Sequence, residues 1–105
     1  MKKEKDIISR IRQSILLAEP GAKIILYGSY ARGENRLDSD MDILILLNKD
    51  KVTREDEKKV KYPLYDIEFE TGQIISPLVL SLKDWEEKHS ITPFYDNIIK
   101  EGVTL

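Results

Sequence analysis

Asp40 and Asp42 stand two residues apart at the head of an apolar run, Met41 and then Ile43 to Leu47. If this stretch is extended, side chains at i and i+2 share a face and lie roughly 7 Å apart. Two carboxylates so placed raise each other's pKa unless a cation neutralises them. Hard divalent ions with oxygen ligands do this, and magnesium favours a few carboxylates together with substrate phosphates. Upstream, Gly28-Ser29 follows the apolar stretch Lys23 to Tyr27, where a strand would turn into a helical turn. Glycine admits a ligand close to the backbone, and the free N–H groups of a helix start attract anions. Ser29 adds a hydroxyl, and Arg32 or Arg36 adds positive charge.

Each signal is weak by itself. An isolated Gly-Ser more often caps a helix, and an isolated Asp-x-Asp more often sits in solvent at a strand end. Together they are more specific. If the two strands are neighbours, a triphosphate held at Gly28-Ser29 presents its α-phosphate to ions on Asp40 and Asp42. Two ions about 4 Å apart can clamp the attacking and leaving oxygens of an in-line displacement. A third carboxylate is then wanted, to hold one ion and take a proton. The stretch Tyr65 to Glu70 alternates and reads as a strand with Asp66, Glu68 and Glu70 on one face. Asp66 is the first choice and Glu68 the alternative.

Asp38, Asp40 and Asp42 also match the opening of a calcium-binding EF-hand loop. Such a loop needs glycine sixth and glutamate twelfth, where this chain has Ile43 and Lys49. The strand-like ILILL that follows is also wrong for it.

The elements that must position these groups follow from periodicity. Residues 6–17 carry Ile7, Ile8, Ile11, Ile15 and Leu16 at helical spacing, and Pro20-Gly21 ends that helix. Strands are expected over 23–27 and 40–47, joined by a helical turn ended by Gly33 and a polar loop, 34–39. A charged helix is expected over 53–61, strands over 65–70 and 74–80, and helices opening at Ser81 and at Thr92-Pro93. Gly102 is the expected terminator of the last. The order α-β-α-β-α-β-β-α-α predicts a layered α+β or α/β domain. Trp85 and Phe94 read as core and Tyr27 as sheet packing. Tyr30 could stack on a base, and His89 reads as a surface or capping residue.

Composition bounds the rest. The 105 residues suit one domain, 1–105, and 41% are apolar and 34% charged, as in ordinary globular chains. A net charge of -2, with lysines interleaved with acids in REDEKKVK, argues against direct nucleic-acid binding. No cysteine and one histidine exclude a disulfide scaffold and argue against zinc. No secretory signal or bilayer-spanning run is visible, so no membrane role is expected and the cytoplasm is the default location.

Gly28-Ser29, Arg32-Gly33, Ser39-Asp40-Met41-Asp42 and Ile43-Leu44 resemble, in order and spacing, the minimal nucleotidyltransferase family of the DNA polymerase beta superfamily. The resemblance covers about a fifth of the chain. It implies a palm-like mixed sheet packed with helices, with Ser29 beside the triphosphate. It implies Asp40 and Asp42 as magnesium ligands, and a third carboxylate at Asp66 or Glu68. The expected reaction moves a nucleoside monophosphate, AMP from ATP, onto an acceptor. A helical protein of the HEPN type is the acceptor implied for chains of this size, in some pairs with this chain as antitoxin. Self-association is also open.

Overall fold

Seven residues, Met41–Leu47, form strand β2, and all but Asp42 are buried. Their alternation builds two cores at once. Met41, Ile43, Ile45 and Leu47 face one layer, and Leu44 and Leu46 face the other. In a computed structural model, which describes residues 2–36 and 38–105, β2 lies inside a four-stranded sheet. Met1 and Leu37, the latter within the expected loop 34–39, lie outside the described residues.

Strand β1, Lys23–Tyr27, runs antiparallel to β2 on one side, and β3, Ile75–Ser81, runs parallel to it on the other. A two-residue strand, β4 (Val103–Thr104), pairs antiparallel with β1, giving the order β3-β2-β1-β4. Helices α1 (Lys2–Ala18) and α3 (Arg54–Thr71) pack together on one sheet face. Their Ile7, Ile11, Ile15, Val60, Leu64 and Ile67 meet Ile24, Leu26 and the odd-numbered residues of β2. On the opposite face, Trp85 from α4 (Leu82–Glu87) and Ile98 from α5 (Pro93–Glu101) cover Ile25, Leu44 and Leu46. Each of these buried aliphatic side chains contributes about 1.5–3 kcal/mol relative to exposure. No helix among the described residues is long and apolar enough to cross a membrane.

The layered α+β class is as the sequence implies, with one correction. The expected strand 65–70 is the second half of α3, and the expected charged helix 53–61 is its first half. Thr53 closes a capping box with Asp56, and Gly72, at φ 74, ends the helix in the left-handed conformation. The helical spacing Val60, Leu64, Ile67 is the buried one, whereas Tyr65 and Phe69 of the apparent alternation are exposed. Pro63 lies inside α3 and removes a helical donor. Burial of the flanking Val60, Leu64 and Ile67 outweighs that loss. β4 is the element that the sequence reading does not contain.

One polar network ties the end of α1 and the start of α3 to the sheet. Lys49, just past β2, reaches Asp56 Oδ1 at 2.7 Å and Glu19 Oε1 at 3.4 Å, and Lys59 reaches Glu19 Oε2 at 3.2 Å.

Candidate active site

The antiparallel register places Tyr27 opposite Asp42, so the residue after Tyr27 leaves the sheet beside that carboxylate. That residue is Gly28, with φ 75 and ψ −154, backbone that only glycine adopts readily. A β-carbon there would collide with Asp42 Oδ2. The turn and the carboxylate are thus in direct contact. Gly28 is the cap of the one-turn helix α2 (Ser29–Arg32), so Ser29 is its first residue and not its cap. Arg32 N–H donates to Gly28 O at 3.2 Å and Glu34 N–H to Ser29 O at 2.9 Å, closing the turn.

Asp40 is exposed and Asp42 half-buried. Burial raises the Asp42 pKa above the ordinary carboxylate value, the Asp40 charge raises it further, and Arg32 opposes both. The same neighbourhood raises the Tyr27 phenol, through burial first and the Asp42 charge second. Arg32 is exposed, donating to Glu34 Oε1 at 3.0 Å and Glu101 Oε2 at 3.2 Å. Arg36 lies in the loop leading to β2, where its N–H donates to Ser39 Oγ at 2.7 Å.

Asp66 and Glu68 do not join this cluster. They belong to α3, which packs on the face of β2 carrying Met41 and Ile43, whereas Asp42 belongs to the other face. Asp66 is exposed and lines a surface cleft with Arg10, Gln13 and Leu17 of α1. Glu68 Oε1 accepts the Ile75 N–H at 2.7 Å, a structural role at the start of β3. The residue opposite Asp42 on β3 is Ser76, whose hydroxyl reaches Asp40 Oδ2 at 3.5 Å. Sequence reading passes over Ser76 because a parallel register between distant strands leaves no local signal. It also passes over Gln73, which bridges to Tyr30 and Ser39.

Two carboxylates that repel each other, beside the Gly28 turn, have the donor chemistry for one hard divalent ion shared with phosphate oxygens. Among the described residues, no three or more acids or histidines are grouped to hold a metal by themselves. An ion held by Asp40 and Asp42 would need its remaining oxygen ligands from elsewhere.

The family described as "Nucleotidyltransferase domain" matches residues 6–101. A protein of Methanocaldococcus jannaschii named "Putative protein adenylyltransferase MJ0141" is 31% identical over 103 residues, covering 95% of this chain and 96% of that one. No solved structure gives a significant match.

Proposed function

The chain belongs to the nucleotidyltransferase family, and from that premise we propose that it transfers AMP from ATP to a protein acceptor. The observation that supports this reading is the close approach of Gly28 to Asp42, which brings the turn assigned here to phosphate against the acid assigned here to metal. The name of the archaeal relative supports adenylyl transfer to protein. A HEPN-type helical partner is the first acceptor to test.

In this reading the backbone of Gly28 and Ser29 receives the β- and γ-phosphates, with the Ser29 hydroxyl as a further donor. Arg32 balances charge at the rim. Asp40 and Asp42 would hold Mg2+, which when bound supplies Lewis-acid stabilisation of charge at the α-phosphate. The raised pKa of Asp42 marks the desolvation and repulsion that such an ion would relieve. A second ion would need a further acid. Opposite Asp42 on β3 the chain has Ser76, which donates to Asp40, in place of such an acid.

The placement of Asp66 and Glu68 on the far face favours a second reading, in which the chain is a nucleotide- and partner-binding module with weak turnover. Labelling of candidate acceptors with α-phosphate-labelled ATP and Mg2+, beside calorimetry of ATP binding, separates the two. Transfer that disappears in Asp42→Asn while circular dichroism is unchanged supports the enzyme. Binding without label on any acceptor supports the module. Unchanged labelling by Asp42→Asn overturns the proposed site.

A further inference from the structure

Gln73 follows Gly72 at the end of α3, and its side chain reaches two segments far away in sequence. Its Oε1 accepts the Tyr30 hydroxyl at 2.7 Å, across 43 residues. Its Nε2 donates to Ser39 O at 2.9 Å, across 34 residues, and also to Ile74 O at 2.9 Å. Tyr30 is the residue after Ser29, and Ser39 is the residue before Asp40. One amide therefore joins the phosphate-accepting turn to the carboxylate-bearing segment. Both bonds are tertiary, so local chain geometry does not supply them.

The base of this bridge is itself fixed. Gln73 N–H donates to Thr71 Oγ1 at 3.2 Å, and the Thr71 hydroxyl donates to Ile67 O at 2.7 Å in the last turn of α3. Ile74 O also accepts Met41 N–H at 2.9 Å, so the same backbone unit anchors the first residue of β2. The chemistry of the bridge is specific. One hydroxyl donor and two carbonyl acceptors face Gln73, and a primary amide matches all three, with an acceptor oxygen on one side and two N–H donors on the other. A carboxylate would face the two carbonyls with oxygen, and an apolar side chain would leave all three groups without this partner.

We propose that Gln73 is a positioning residue, fixing the separation between the Gly28-Ser29 turn and Asp40-Asp42. This rests on the nucleotide site proposed above. It acts through Tyr30 and Ser39 and touches neither phosphate nor metal, as outer-shell groups do when they orient ligands.

The test uses the full chain and two variants. Gln73→Met keeps side-chain length and removes the bridge. Val79→Ala, in the core beside α1 and α3, lowers stability without touching the bridge. Thermal denaturation is measured beside calorimetric binding of Mn2+ with α,β-methylene-ATP, at a temperature where all forms are folded. Gln73→Met is expected to weaken binding by about 10- to 100-fold, while Val79→Ala keeps wild-type affinity at a comparable or larger loss of melting temperature. Tyr30→Phe, which leaves the bonds to Ser39 and Ile74, is expected to fall between wild type and Gln73→Met. Wild-type affinity in Gln73→Met overturns the positioning role and leaves the nucleotide site standing. Absence of binding by the wild-type chain overturns both.

Discussion

Gly28 has no side chain where Asp42 needs the space: a β-carbon on the first would overlap a carboxylate oxygen of the second. The positive φ of 75 adds backbone strain for any other residue, of about 1–3 kcal/mol. Gly28→Ala is therefore expected to lower the melting temperature. It is also expected to weaken Mn2+·nucleotide binding by at least about tenfold, because Asp42 must move. Calorimetry on the folded variant checks this, and unaltered affinity would show that the contact is incidental.

Asp42 makes the site sensitive to pH. Its folded pKa lies above the ordinary carboxylate value because of burial and then Asp40. The folded metal-free chain thus retains a proton that the unfolded chain releases. Stability is highest below the unfolded value and falls as pH rises through the raised folded one. Metal affinity runs the other way, rising over the same window as the proton leaves. Melting curves against pH, without metal, are expected to show this decline in the wild type and not in Asp42→Asn. A wild-type profile identical to that of Asp42→Asn would contradict the assignment.

Ser76 faces Asp42 across the parallel pair β2–β3. Ser76→Asp adds a third acid to that sheet face. Without metal, repulsion is expected to lower the melting temperature. With Mn2+, affinity is expected to rise on the order of tenfold, since affinity for hard ions follows the number of charged ligands. A variant that loses stability and gains no affinity would show that the seat does not open onto the ion.

Away from the site, Asp56 holds the start of α3. Lys49 first, and then the Thr53 backbone, hold its carboxyl at about 2, below the ordinary 3.8. Its contribution is therefore complete above the unfolded value and is lost as pH falls toward about 2. Acid denaturation of Asp56→Asn is expected to lack that part of the wild-type transition. Thr53→Ala, which removes the hydroxyl side of the capping box, is expected to cost about 1 kcal/mol in urea unfolding.

The two-part motif was legible because its order is local: a glycine turn after one buried strand and paired acids at the head of the next. The caps at Ser81 and Thr92-Pro93 were legible for the same reason, and both side chains accept the N–H three residues on, of Asp84 and Tyr95. Tyr65 to Glu70 misled because period two and helical spacing both pass through Ile67, and Pro63 suggested a break. Only packing against α1 and the sheet decides between them, through Val60 and Leu64. Ser76 and Gln73 were silent for another reason. Their roles depend on which strands become neighbours, which short-range patterns do not encode.

The strict alternation in β2 also bears on how the chain finds its fold. Sliding β2 by a single position against β1 would drive Asp42 into the layer now filled by Met41 and Ile43. Burying a lone carboxylate costs several kcal/mol, so the misaligned hairpin is disfavoured from the outset. The acids assigned to the nucleotide thereby serve as a ruler for assembly. Neutralising both should leave a hairpin more prone to trapped, off-frame intermediates, visible as a slow refolding phase absent from the parent.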